Sequence, residues 1–330
     1  MLAFIPSKAP WARAAILAVF AVLVVLVPVL GTGYHYKLLT LVFMSIALAE
    51  AWNLLGGFAG YISFGHVAFF GLGGYATAIL MAQLQWPFAL AAMGGSLVVA
   101  LFALLLGTPL LRVRGHYFAV TTFAVGEVMR ELANNLNFLT GGGMGLQVPL
   151  FPGGVLEQNR FFYFVMLALM VVTIATTYFI ARSRFGYGLR AIREDEDVAS
   201  ALGVNVGLHK VAALVLSAFF VGVAGSIYAY WVTFLEPADL FSLNYSVNMV
   251  IMAVLGGAGT VLGPVVGALV VMILNELLWS NFLELHNAFL GLVLIAVVTL
   301  MPNGLLDLVR RDRKTSVLAT IRLNLQRYRV

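Results

Sequence analysis

Apolar runs of about twenty residues, the length that crosses a bilayer core as an α-helix, follow one another almost without pause along this chain. They cover Ala14–Leu30, Leu38–Leu55, Gly60–Leu84, Phe88–Leu111, Tyr117–Asn137, Phe161–Ala181, His209–Trp231, Tyr245–Leu255, Gly263–Trp279 and Asn287–Met301. Only 10% of the 330 residues are charged and 62% are hydrophobic, against roughly 25% charged in soluble domains. Such a chain cannot clothe a water-facing surface. The expected fold is all-α, a polytopic integral membrane helical bundle of about ten spans. It is read as a single transmembrane domain over 1–330, with a hydrophilic loop at 182–208 and a basic tail at 302–330. Lys8 and Arg13 before the first run resemble a signal-peptide start. The run is nevertheless long enough to span, and no small-residue cleavage site follows it closely, so it reads as a retained helix.

Lys and Arg in short loops orient the spans, because they concentrate on the cytoplasmic side. With ten spans one side collects Lys8, Arg13, Arg112, Arg114, Arg182, Arg184, Arg190, Arg193 and the tail from Arg310 to Arg329. The other side keeps Lys37 and Arg160. Both termini are therefore expected in the cytoplasm.

The glycines are unevenly used. Leu55-Gly56-Gly57-Phe58-Ala59-Gly60 is echoed by Leu255-Gly256-Gly257-Ala258-Gly259. Gly-interrupted segments in two halves of a transporter often mark broken helices beside the pathway. Equally, Gly-Gly is a common pair in a chain with 33 glycines. Asn53 and His66 flank the first break, and Asn248 and Asn275 flank the second. They are candidates for the pathway or gate, or they hydrogen-bond helices together. Glu127 and Arg130 lie mid-span at i,i+3 spacing, where they can pair; they either brace the bundle or act in a gate. Asn134 leads to Thr140-Gly141-Gly142 in the loop 138–160. That loop can form a backbone nest for a carboxylate, contact a partner, or serve as a plain turn.

Much chemistry is excluded. There is no cysteine, no GxxxxGK[ST] loop to hold ATP phosphates, no HExxH and no GxSxG. No catalytic residue, metal site or nucleic-acid site is expected. The loop 182–208 is the informative hydrophilic stretch. Leu189, Ile192, Ala199 and Leu202 fall near one face of a helix read over Leu189–Leu202, and Gly203 suits its left-handed end. Such a helix needs a receiver, either a partner protein or the membrane surface. Four consecutive acids, Glu194 to Asp197, fit an anionic leaflet poorly and favour the partner.

Asp197-Val198-Ala199 followed by Gly203 resembles the EAA-x-x-x-G coupling motif of ABC import permeases, with Asp for the first Glu and Val for the second residue. Longer blocks, 188–229, 54–78, 112–135 and 139–146, resemble the high-affinity branched-chain amino acid ABC permease family, in its LivM-type branch. The likeness runs from about Leu38 to Met301. It implies a permease subunit in a bacterial inner membrane that binds no cofactor itself. A paralogous second permease, two ATP-binding subunits carrying ATP and Mg, and a periplasmic solute-binding protein would be its partners. It also implies that the loop helix couples to an ATPase through Ile192, Asp197, Ala199, Leu202 and Gly203, with Arg190 and Arg193 as flanking charges. The solute would be Leu, Ile or Val, although related permeases carry urea, short amides or aromatic acids. An ion-coupled secondary carrier is the rival reading, and it would need no coupling helix.

Overall fold

A computed structural model describes residues 32–281 together with 291, 304 and 305. The expected spans Ala14–Leu30 and Asn287–Met301 and the basic tail lie outside the described residues. Within them the chain is helical almost throughout. Helices α1 (Gly33–Leu55), α2 (His66–Ala82), α3 (Phe88–Leu110) and α4 (His116–Asn135) are followed by a single turn, α5 (Asn137–Thr140). Then come strand β1 (Leu146–Gln147) and helices α6 (Val155–Arg182), α7 (Arg184–Glu194), α8 (Glu196–Ala201) and α9 (Val206–Val232). Strand β2 (Phe234–Leu235), the single turn α10 (Pro237–Leu240), α11 (Leu243–Gly256) and α12 (Gly263–Asn281) complete the set. Among the described residues five stretches are long and apolar enough to cross a membrane: α1, α3, α6, α9 and the combined α10–α11 segment. Helices α2 and α12 are shorter and also apolar.

The packing of α3 shows what solvent this bundle is built for. Ala91, Gly95, Val99, Ala103 and Gly107, at every fourth position, face inward and are buried. Leu90, Met93, Leu97, Leu101, Leu104 and Leu105 point outward and are exposed. A soluble helix does the reverse. Small residues inside and leucines outside suit a helix whose neighbours are helices on one face and lipid on the other.

Helix α9 is the centre of the bundle, packed on α2, α3, α1 and α6. Its approach to α2 requires glycine. A Cβ on Gly225 would lie 2.0 Å from the Phe70 carbonyl oxygen, and one on Gly73 would lie 2.3 Å from that of Gly222. The pair α11–α12 closes in the same way, since a Cβ on Gly256 would lie 1.7 Å from the Gly263 carbonyl oxygen. Across the bundle end, β1 and β2 pair antiparallel with Leu146 opposite Leu235, which ties the loop 138–160 to the end of α9.

Two boundaries differ from the sequence reading by six residues. The run from Gly60 becomes helical only at His66. Gly60 has φ +77, and residues 59–65 form a non-helical link held by the Trp52 indole N–H donating to the Ser63 carbonyl (2.8 Å). The run from Phe161 begins six residues earlier, at Val155, where the Glu157 carboxylate accepts from the Gly154 N–H (3.2 Å) and opens the helix.

Candidate functional site

The loop 182–208 folds as two helices rather than one, which corrects the single helix expected over Leu189–Leu202. Ser183 caps α7 by accepting from the Gly186 N–H (3.1 Å). Asp195 breaks the run in an extended conformation (φ −160, ψ 118), and its carboxylate accepts from the N–H groups of Asp197 and Val198, both at 2.9 Å. An acid here is a better N-cap than a mid-helix residue. Gly203 does end the segment in the left-handed region (φ +87), with nothing within 4 Å of an added Cβ.

The break changes which residues face outward. Leu189, Ile192 and Ala199 are buried at 4% exposure or less against their own chain. Their apolar side chains fill the bundle end, so Ile192 and Ala199 are not on an open docking face. Tyr187, Val198 and Leu202 are exposed, Leu202 to 78%. The charges change role too. The Arg190 guanidinium lies 5.3 Å over the Phe58 ring. Arg193 points inward and donates through Nη1 to the carbonyl oxygens of Gly57 (2.7 Å) and Ala258 (3.3 Å).

Those two carbonyls belong to the two glycine breaks, which meet. A Cβ on Gly57 would lie 2.5 Å from the Gly259 backbone nitrogen, and one on Gly259 would lie 2.8 Å from the Gly57 oxygen. Asn53, fully buried, joins the same two strings from inside. Its Nδ2 donates to the Thr260 carbonyl and its Oδ1 accepts from the Gly259 N–H, both at 2.8 Å.

A second tie holds α8. The Lys210 ammonium, 6% exposed, donates to Glu196 Oε1 (2.8 Å), the Tyr61 hydroxyl (3.0 Å) and the Leu111 carbonyl (2.9 Å). Tyr61 donates to Glu196 Oε2 (2.5 Å), and Arg114 approaches Glu196 at 3.4 Å and Asp197 at 3.3 Å. Burial pushes the Glu196 carboxyl up. The hydrogen bonds from Lys210 and Tyr61 and the charges of Lys210 and Arg114 outweigh it and hold the group below the ordinary carboxylate range. A lowered folded-state value stabilises the fold above the unfolded value, and that contribution is lost as pH falls through the lowered one. Acidification below the ordinary carboxylate range should therefore loosen α8 in wild type and leave Glu196→Gln less affected, as read by proteolysis of the segment against pH.

The other candidates are scattered. His66 is enclosed, its Nδ1 3.0 Å from the Ser63 hydroxyl and its Nε2 2.7 Å from that of Ser217, whose hydroxyl donates to the Ala51 carbonyl. It joins α2 to α9 and α1. Glu127 and Arg130, both half-buried on α4, form an ion pair at 2.7 Å, with Glu131 3.7 Å from Arg130 and Asn134 one turn on, also half-buried. The Thr140 hydroxyl donates to the Ala133 carbonyl (2.6 Å) and accepts from the Gly142 N–H (3.2 Å). Gly141 and Gly142 both have positive φ, and a Cβ on Gly142 would meet Asn137 Oδ1. Asn248 on α11 and Asn275 on α12 are half-buried, and no hydrogen bond links them to the other candidates among the described residues. Nor do the described residues hold a cluster of three or more His, Asp or Glu placed for a metal.

Lys210 and Tyr61 were not singled out in the sequence, and Glu196 and Arg114 entered only as part of an acidic run and as a loop charge. A lone Lys inside an apolar run carries the signal, since an intramembrane charge needs a partner.

A helical bundle with several stretches long and apolar enough to cross a membrane, and a short helical segment strapped to one end, is the architecture of a multi-pass membrane protein. The chain belongs to the family described as branched-chain amino acid transport system / permease component, whose model matches residues 34–298. It is 29% identical over 324 residues to the high-affinity branched-chain amino acid transport system permease protein LivM of Escherichia coli (strain K12), covering 90% of this chain and 76% of the relative. The protein of the same name from Salmonella typhimurium is 30% identical over 301 residues, 83% of this chain and 70% of that one. Escherichia coli (strain K12) LivH, a permease protein of the same transport system, is 28% identical over 284 residues, 78% and 90% of the two chains. No solved structure matches the chain significantly.

Proposed function

We propose that this chain is one of two paralogous permeases in an ATP-binding-cassette importer of branched-chain amino acids, embedded in the inner membrane of a bacterium. Related small solutes such as urea, short amides or aromatic acids are the alternative cargo. The observation that carries the reading is the segment α7–α8. It is fixed to the bundle on one side by Arg193 and Glu196 and presents Tyr187, Val198 and Leu202 on the other. A carrier working alone has no use for such a surface. An ATPase subunit has, and this chain lacks the phosphate loop that would let it hydrolyse ATP itself. ATP and Mg belong to two such partner subunits, and a periplasmic binding protein delivers the solute.

The polar face of α4 supports a second permease. Glu127, Arg130 and Glu131 keep 33%, 38% and 61% of their side chains exposed on a helix within an apolar bundle. A charge set against lipid costs about 2.5–3.5 kcal/mol near a helix centre, so this face is covered by the partner permease or by water in a shared pathway. Glu127→Gln separates the two roles. As a gate residue it leaves the yield of assembled complex within about twofold of wild type and cuts uptake about tenfold, the worth of one charge-assisted bond. As a brace it lowers yield and uptake together.

The whole chain acts as one transmembrane domain of about ten spans, with both termini, the loop 182–208 and the tail 302–330 in the cytoplasm. Because the chain has no cysteine, single cysteines report sidedness. In intact cells an impermeant thiol reagent should label Gly154→Cys and spare Val198→Cys. The opposite pattern would refute the orientation.

Docking through the outward residues makes Leu202→Asp the direct test of the segment. Burying a leucine is worth roughly 1.5–3 kcal/mol, and the substitution should strip the ATPases from the purified complex while the bundle stays folded. Retention of the ATPases at wild-type stoichiometry would sink the docking assignment.

A further inference from the structure

Arg193 occupies a position that its place in the sequence does not explain. The carbonyls of Gly57 and Ala258 lie just beyond the C-terminal ends of α1 and α11. Helix C-termini carry unsatisfied carbonyls and partial negative charge. Two such ends brought together repel each other, and the Gly57 and Ala258 carbonyls beside them need a donor. One guanidinium nitrogen serves both. A Cβ on Gly60 would lie 3.0 Å from Arg193 Cγ, so the first break also holds the aliphatic stem of the arginine. From inside, Asn53 uses both ends of its amide on the second break. The junction is thus closed by two polar groups, and only Arg193 belongs to the external segment.

Resting on the ABC-permease reading above, we propose that Arg193 is a latch. It transmits movement of α7 to the junction of the two glycine breaks and so positions the ends of α1 and α11 during transport. Displacement of α7 by a partner ATPase withdraws the cation from both carbonyls. The two helix ends then repel and part, and Asn53 remains as the pin about which they move. The glycines are required for the contact, because a methyl on Gly57 or Gly259 would hold the breaks apart permanently.

The test uses the whole complex, purified through a tag on this chain and reconstituted with its solute-binding protein, with radiolabelled leucine as the probe. Arg193→Ala should assemble and hydrolyse ATP, with leucine accumulated per ATP hydrolysed falling about tenfold, the factor that one charge-assisted hydrogen bond supplies. Arg193→Lys, which keeps a cationic donor for the carbonyls, should give a ratio between those of wild type and Arg193→Ala. A static brace would lower assembly and leave that ratio unchanged. A ratio in Arg193→Ala within about twofold of wild type, less than the weakest charge-assisted bond predicts, overturns the latch. So does failure of both variants to assemble, since Arg193 would then serve the fold alone. Absence of ATP-dependent uptake by the wild-type complex would instead sink the permease reading on which the latch rests.

Discussion

Gly225→Val should abolish the folded protein. The new side chain would begin at a Cβ 2.0 Å from the Phe70 carbonyl oxygen and 2.9 Å from its carbon. The obstacle is backbone, so no rotamer change relieves it. The only escape is to move α9 away from α2, and α9 is the helix on which α1, α2, α3 and α6 all pack. Separation would also break the hydrogen bonds from the Ser226 hydroxyl to the Gly73 carbonyl (3.1 Å) and from Thr77 to Ser226 (2.8 Å). Overpacking a tight core costs about 1–3 kcal/mol where side chains can yield. Here the loss should reach the whole of a typical stability of about 5–15 kcal/mol. Extraction in mild detergent followed by size-exclusion chromatography should recover no monodisperse Gly225→Val protein. Gly143→Ala, at a site with nothing within 4 Å of its Cβ, should behave as wild type. A monodisperse Gly225→Val peak at normal yield would contradict the α2–α9 crossing.

Lys210→Met should be the most damaging single change among the charged residues. It leaves the Glu196 carboxylate, 16% exposed, without its nearest cation, and strips a donor from the Tyr61 hydroxyl and the Leu111 carbonyl. Removing one partner of a buried ion pair costs about 3–5 kcal/mol. Because Glu196 keeps some exposure and retains Arg114 at 3.4 Å, the loss should fall near the low end, about 3 kcal/mol. The double variant Lys210→Met, Glu196→Gln removes the stranded charge and should recover a good part of that loss. Thermal unfolding of the purified subunit reads both. Proteolysis within 195–205 should rise in the single variant and fall back in the double. Equal destabilisation of single and double variants would mean that the pair is not what holds α8.

The long helices were legible because lipid imposes length and apolarity directly. The runs that became α1, α3 and α9 differ from the sequence reading by at most five residues at either end. The late start of α2 was harder to see, because Ser63 and Trp52 stabilise a non-helical link through a tertiary hydrogen bond that leaves no local pattern. The break at Asp195 left a signal that helical periodicity overrode. An aspartate followed by Glu196 and Asp197 is an N-cap with an acidic first turn. The echo between the two glycine strings was visible as letters, and the structure turns it into contact: Gly57 abuts Gly259, with Asn53 spanning them. The inward turn of Arg193 was not legible. It depends on residues 57 and 258 meeting at one point, which no local reading supplies. The same holds for Ile192 and Ala199, whose amphipathic spacing describes equally a face turned to a partner and a face turned to the chain's own core.

Uptake by proteoliposomes tests the central claim most directly. The complex that co-purifies with this chain is reconstituted, the solute-binding protein with radiolabelled leucine is added on one side, and ATP with Mg is supplied on the other. The account predicts leucine accumulation against its gradient that stops when ATP is withheld, and none in liposomes holding this chain alone. Concentrative uptake by the chain alone, or uptake that follows an imposed ion gradient without ATP, would contradict it.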